Sequence, residues 1–206
     1  MNRLTLLGIV ILSFVAFVLM SVFYESRVII QIDEWLIQHI QRMESTILTN
    51  CMKFFSFIGS GWVVGILAIG VIILLILLKH YLEIIILVVT VCGSVLLNMY
   101  LKLLFERARP TIHPIIIETG YSFPSGHSMN AFTFYGIVTL LMWRHLPSHV
   151  GRILLFVFSL FMILTIGMSR IYLGVHYPSD VIGAYLASCT WLIVVIFVAP
   201  LKKSLN

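Results

Sequence analysis

The chain is short of charge. Only 10% of its 206 residues are Asp, Glu, Lys or Arg, against about a quarter in a soluble domain. Beside 61% hydrophobic residues, that deficit excludes an ordinary water-soluble enzyme. Acidic residues are scarcest, eight against thirteen Lys and Arg. In a soluble protein the resulting +5 charge would raise nucleic acid as a partner. Here no basic stripe is interleaved with aromatics, and the bases gather at the ends of apolar runs, so nucleic acid is excluded and membrane topology explains them. Cysteine is nearly absent. Cys51, Cys92 and Cys189 are an odd set with no C-x-x-C spacing, which excludes a disulfide framework or zinc site and reads as small buried hydrophobes. Internal repeats and low-complexity tracts are also lacking.

What the chain does have is long apolar runs, of the length that crosses a bilayer core. The first, 4–23, is too long for the core of a cleaved leader and has no small-residue cleavage site. Further spans are expected at 62–78, 81–105, 128–143, 153–168 and 181–198. Residues 29–48 are different. Ile32, Leu36, Ile40, Met43 and Ile47 recur at helical spacing among Asp33, Glu34, Gln41, Arg42 and Glu44, which predicts an amphipathic helix lying in the interface or across the mouth of the bundle. The expected fold is all-α: a polytopic bundle of six transmembrane helices plus one interfacial helix, as a single domain over 1–206 in the cell membrane.

Orientation follows from the bases. With the N-terminus inside, Arg3, Lys79, Arg144, Arg152, Lys202 and Lys203 face the cytoplasm. Arg27, Arg42, Lys53, Lys102, Arg107, Arg109 and Arg170 face outward. The raw count opposes the positive-inside rule. If Lys102, Arg109 and Arg170 are held in a site, the balance turns to N-inside. Residues 106–127 and 170–178 then share the extracytoplasmic face.

Three polar clusters fall there: "KLLFERARP" with Lys102 and Arg109-Pro110, then Pro124-Ser125-Gly126-His127, then "SRIYLGVHYPSD" with Arg170, His176 and Asp180. Singly, each reads as helix punctuation or as a snorkelling base. Jointly, three cations, two histidines and a carboxylate at membrane depth mark a functional site, and their types fit phosphoryl transfer. Lys102, Arg109 and Arg170 would neutralise the charge on a phosphoryl group. Ser125 and Gly126 would turn backbone N–H groups toward its oxygens. His176 is the expected nucleophile, because Asp180, four residues on, can hold its second ring nitrogen. His127 is left as general acid and base. The three cations would repel a divalent ion, so no metal and no cofactor is expected.

The combination K-x6-R-P, P-S-G-H and S-R-x5-H-x3-D, carried by Lys102, Arg109, Pro110, Pro124 to His127, Ser169, Arg170, His176 and Asp180, resembles the type 2 phosphatidic acid phosphatase superfamily of lipid phosphate phosphatases. The resemblance covers 102–180. It implies a metal-independent hydrolase with a phosphohistidine intermediate, acting on a lipid phosphate such as phosphatidylglycerol phosphate, undecaprenyl diphosphate or phosphatidate in the bilayer. Small size and six spans look most like the bacterial phosphatidylglycerophosphate phosphatases, with undecaprenyl diphosphate phosphatase as the alternative. A transporter or a non-catalytic membrane protein are the readings from other classes. The first predicts mid-span charges and repeated halves, and neither is found in the sequence.

Overall fold

The structure, a computed structural model, describes residues 3–199; among them are eight helices and no strand. In chain order these are α1 (Arg3–Phe23), α2 (Arg27–Gln41), α3 (Thr46–Ile58), α4 (Gly61–Leu77), α5 (Tyr81–Phe105), α6 (Gly126–His145), α7 (His149–Tyr172) and α8 (Pro178–Val198). Lys202 and Lys203, counted above for orientation, lie outside the described residues.

Serine punctuates the chain. Ser26, Ser45, Ser60, Ser125 and Ser148 each precede a helix in extended conformation, and each hydroxyl accepts from a backbone N–H three residues on. That satisfies one of the donors every helix start leaves open. Ser45 is also why the amphipathic helix expected over 29–48 is two helices: α2 stops at Gln41, and Ser45 restarts the chain as α3.

The apolar stripe expected on that helix is corrected as well. The face of α2 turned into the bundle is Asp33, Ile37 and Gln41. Ile32, Met43 and Ile47 are exposed, and Leu36 and Ile40 half-buried. Polar partners decide the matter. Gln41 Nε2 donates to the carbonyls of His113 and Tyr172 at 2.8 and 3.0 Å, and Asp33 is taken up by the site described below. In lipid an apolar side chain loses nothing by facing outward, whereas a polar one must find a partner inside.

The same logic governs the spans. Among the described residues, α1, α5, α7 and α8 are each long and apolar enough to cross a membrane, and α3 with α4, bent by 55°, passes together as a fifth. α6, expected as a span, does not qualify. It packs against α4, α5, α7 and α8, so protein surrounds it and polar residues are tolerated along it. Ser94 and Thr133 share a hydrogen bond of 2.9 Å, and Thr139 donates to Ser159 at 2.7 Å, which removes the cost of a bare hydroxyl in apolar surroundings. The outer faces are greasy instead: Leu12, Ile66, Leu96 and Leu154 are all exposed. Cys51 and Cys92 are exposed there too and Cys189 is half-buried, not the buried trio expected, because an apolar outer face accepts a thiol as readily as a core does.

Two packing features shape the end of the bundle that carries the motifs. Phe123, fully buried, stacks on Tyr24 with centroids 4.9 Å apart and meets Phe105 edge-on at 5.2 Å. Its ring lies where a side chain on Gly183 of α8 would have to go. In the α7–α8 turn, Gly174 has φ +71°, and a Cβ there would run into the carbonyl of His113. Glycine alone allows both the left-handed turn and the close approach that brings His176 over the site.

Candidate active site

α5 ends at Phe105, with Glu106 in the left-handed region at φ 47°, and the chain folds back over the end of the bundle. Backbone bonds stitch this loop down. Ser122 N donates to Arg107 O at 2.8 Å, Ile115 N to Leu173 O at 3.0 Å and Ser125 N to Asp180 O at 3.2 Å. The three sequence clusters thereby meet.

At the centre is His176, 1% exposed. Its Nδ1 lies 3.4 Å from Asp180 Oδ2 and 3.2 Å from the Ser122 hydroxyl. Its Nε2 lies 3.2 Å from Arg109 NH1. A guanidinium only donates, so the network assigns the proton to Nδ1 and a free lone pair to Nε2. Burial, seconded by Arg170 and Arg109 against the pull of Asp180, pushes the imidazole down to about 4. At neutral pH the ring is therefore uncharged, with the Nε2 lone pair free.

Asp180 is held from several sides. Arg107 NH1 reaches Oδ1 at 2.6 Å. Oδ2 accepts from the Ser122 hydroxyl at 2.5 Å and from Tyr177 N at 2.9 Å, the latter as part of a capping box on α8. Pro178 at the first position of α8 costs no hydrogen bond there.

Around Nε2 stand the cations. Arg109 is fixed by the carbonyls of Gly120, Val175 and Thr119 at 2.9, 2.9 and 3.1 Å. Arg170 is fully buried and hydrogen-bonds Ser56 of α3, while its Nε has no partner among the described residues. Lys102 Nζ donates to Tyr121 O at 2.8 Å. Glu118 sits among them, bonded to Arg170 and 3.1 Å from Arg109 NH1. Burial alone would raise its carboxyl; Arg170 and His127 hold it below the usual range. Three cations against one carboxylate leave an excess of two positive charges, which matches a phosphomonoester dianion.

Ser125, fully buried, is the cap of α6: its hydroxyl accepts from Ser128 N at 3.4 Å and the Ser128 hydroxyl at 2.9 Å. Gly126 opens α6, and a Cβ on it would press within 3.1 Å of Asn98 Oδ1. Asn98 also donates to Pro124 O at 3.1 Å, so α5 braces the whole turn. His127, half-buried, adjoins Gly59 and lies within electrostatic reach of Arg170, Glu118, His176 and Lys102.

All eight sequence-predicted site residues are thus gathered at one end of the bundle. Sequence reasoning missed Arg107, Asp33, Glu118, Ser122 and Asn98. Little marks them: Arg107 and Glu118 read as loop charges, and Asp33 as the solvated face of a helix. Only the alternation Arg107, Arg109 beside the proline was a signal. A separate group, His80, Glu83 and His145, brings three donor atoms within 4.8 Å, a set that suits a transition metal. It lies where α5 begins, some 28 Å along the helix from Lys102 at 1.5 Å per residue, and takes no part in this site.

A family model described as the PAP2 superfamily matches residues 83–203. The chain belongs to the PAP2 superfamily. Among curated PAP2 relatives it is similar to phosphatidylglycerophosphatase B of Bacillus subtilis (strain 168), 40% identical over 91 residues, which is 44% of this chain and 45% of that protein. It is also similar to phosphatidylglycerophosphatase B of Haemophilus influenzae, 40% identical over 96 residues, or 45% and 37% of the two chains. The match therefore spans less than half the length of either relative. A crystal structure described as the first transmembrane PAP2 type phosphatidylglycerolphosphate phosphatase, from Bacillus subtilis, superimposes with a TM-score of 0.89 over 96% of this chain and 98% of that one. At 23% identity that likeness establishes the shared PAP2 helical fold.

Proposed function

We propose that this chain is a lipid phosphate phosphatase that removes the terminal phosphate of phosphatidylglycerol phosphate. One observation carries the reading: a neutral imidazole, wired at Nδ1 to a buried carboxylate, presents its Nε2 lone pair to a cluster with two unneutralised positive charges. Family membership and the names of the two relatives point the same way. Six spans are proposed, counting bent α3–α4 as one and α6 as the central, protein-shielded one. The site would face the extracytoplasmic side.

The chemistry follows from the geometry. The phosphate displaces Glu118 from Arg170 and Arg109. His176 Nε2 attacks phosphorus; the P–O ester bond breaks, and its electron pair leaves with the lipid alkoxide, which takes a proton from His127. Asp180 stabilises the charge that builds on the ring. Water then attacks phosphorus, giving its proton to His127, while the P–N electrons return to Nε2. The cations act through charge on the equatorial oxygens, and every step is met by side chains of this chain without a metal or cofactor.

The test is release of inorganic phosphate by purified protein in detergent, over phosphatidylglycerol phosphate, undecaprenyl diphosphate and phosphatidate. Fastest turnover on the first is expected. Preference for the diphosphate would reassign the substrate, and no release from any of the three would reject the phosphatase reading.

A further inference from the structure

Arg107 lies two residues from Arg109 but does a different job. It is 5% exposed, and its guanidinium is sandwiched between the rings of Tyr24 and Tyr177, 4.7 and 4.1 Å from their centroids. NH1 donates to Asp180 Oδ1 at 2.6 Å and to the Ser179 hydroxyl at 2.7 Å. NH2 donates to Asp33 Oδ2 at 3.1 Å and to Tyr24 O at 3.3 Å. Both terminal nitrogens are thereby engaged, so Arg107 is not available to bind substrate phosphate.

Asp33, 2% exposed, is reached from two directions. Arg107 pairs with it, and Ser179 meets it twice, by backbone N–H at 2.9 Å and by hydroxyl. Ser179 is in the first turn of α8, so a carboxylate from α2 occupies the positive end of the helix that carries Asp180. The bond from His176 to Asp180 is the longest that carboxylate makes, 3.4 Å against 2.5–2.9 Å for the others. Its position is therefore set by Arg107, Ser122 and Tyr177 N, and the histidine follows.

We propose that Arg107 and Asp33 are positioning residues for catalysis: Asp33 on α2 holds Arg107, Arg107 fixes Asp180, and Asp180 holds His176 in the tautomer that leaves Nε2 free. The seating of the amphipathic helix α2 is thereby read out at the nucleophile. This rests on the phosphatase reading above.

A buried ion pair that served the fold alone would alter the amount of folded protein and nothing more. Asp33→Asn keeps the shape of the site and removes the anchor. Arg107→Lys keeps the charge but replaces a fork with a single point that cannot bridge two carboxylates. For each variant two quantities are measured on full-length protein in detergent: kcat and KM per folded enzyme, and the His176 tautomer by 15N-histidine NMR near pH 7. The expected result is a kcat lowered roughly tenfold or more, as loss of an orienting outer partner typically costs, with KM little changed. The wild type should show a single Nδ1–H tautomer and both variants a mixture. Folded variants that keep wild-type kcat and one tautomer would overturn the proposal. If Arg107→Lys does not fold, Asp33→Asn decides by the same two readouts. If the wild type releases no phosphate from any lipid, the phosphatase reading fails, and the tautomer measurement still decides the positioning role.

Discussion

Two charged clusters lie within a few residues of each other and are built on opposite principles. In the lower one, Arg107 is shared by two buried carboxylates, Asp33 and Asp180, and its terminal nitrogens are spent. In the upper one, among the described residues, Lys102, Arg109 and Arg170 face a single carboxylate, Glu118, and Arg170 Nε has no partner. The lower cluster is closed and negative in sum, and suits a framework. The upper one is open and positive, and suits an anion. Burial costs several kcal/mol per unpaired ion, so a buried cation excess points to an anionic ligand that offsets it. Charge balance, more than charge count, separates scaffold from site.

The comparison breaks most completely at the residue joining the two clusters. His176→Ala should lower turnover by on the order of 10⁴-fold or more, as loss of a triad member does, while thermal unfolding in detergent stays close to wild type. Substantial residual activity would detach the framework from the chemistry. Next in size is the open cluster: Arg170→Ala should cost on the order of a hundredfold in rate, the usual loss of one partner to transition-state charge. It should also weaken inhibition by vanadate, a mimic of that transition state. Unchanged vanadate sensitivity would remove Arg170 from the site.

A smaller change should act in the opposite sense. Glu118→Gln removes the anion that competes for Arg109 and Arg170, so vanadate and inorganic phosphate should inhibit several-fold more tightly. Equal or weaker inhibition would mean that Glu118 helps bind substrate rather than giving way to it. The pH profile sharpens the contrast further. Since burial holds His176 near 4, its neutral, attacking form persists well below the ordinary histidine range of about 6.5. Loss of kcat from its protonation should therefore begin only as pH falls toward 4. Smallest of all is chelation: with cations supplied by side chains, EDTA should leave turnover unchanged, and rescue by added magnesium would contradict the mechanism.

The cations of the open cluster and the His176–Asp180 pair were legible in the sequence because they are tied to fixed spacings, whereas Glu118 was not. Lys102 to Arg109 spans a helix end and the turn after it, and His176 to Asp180 runs from the α7–α8 turn through the cap of α8 into its first turn. The closed cluster was not legible, since Asp33, Arg107 and Asp180 meet only through tertiary packing. An acidic residue near the start of an amphipathic helix reads as solvated until α8 is seen to lie over it. α6 is the expected span that length and composition do not mark, for a related reason: its polar residues are sheltered by the helices packed around it. The split of 29–48 at Ser45 was within reach, because an N-cap serine leaves a local signal.

The most direct test of the link between the two clusters is to catch the phosphoryl group in transit. Purified protein mixed with ³²P-labelled phosphatidylglycerol phosphate, quenched within one turnover and digested under alkaline conditions, should yield an acid-labile phosphohistidine on the peptide containing His176, linked through Nε2. Label on His127, on a carboxylate, or on no residue while turnover proceeds would contradict an attacking His176 held by the framework beneath it.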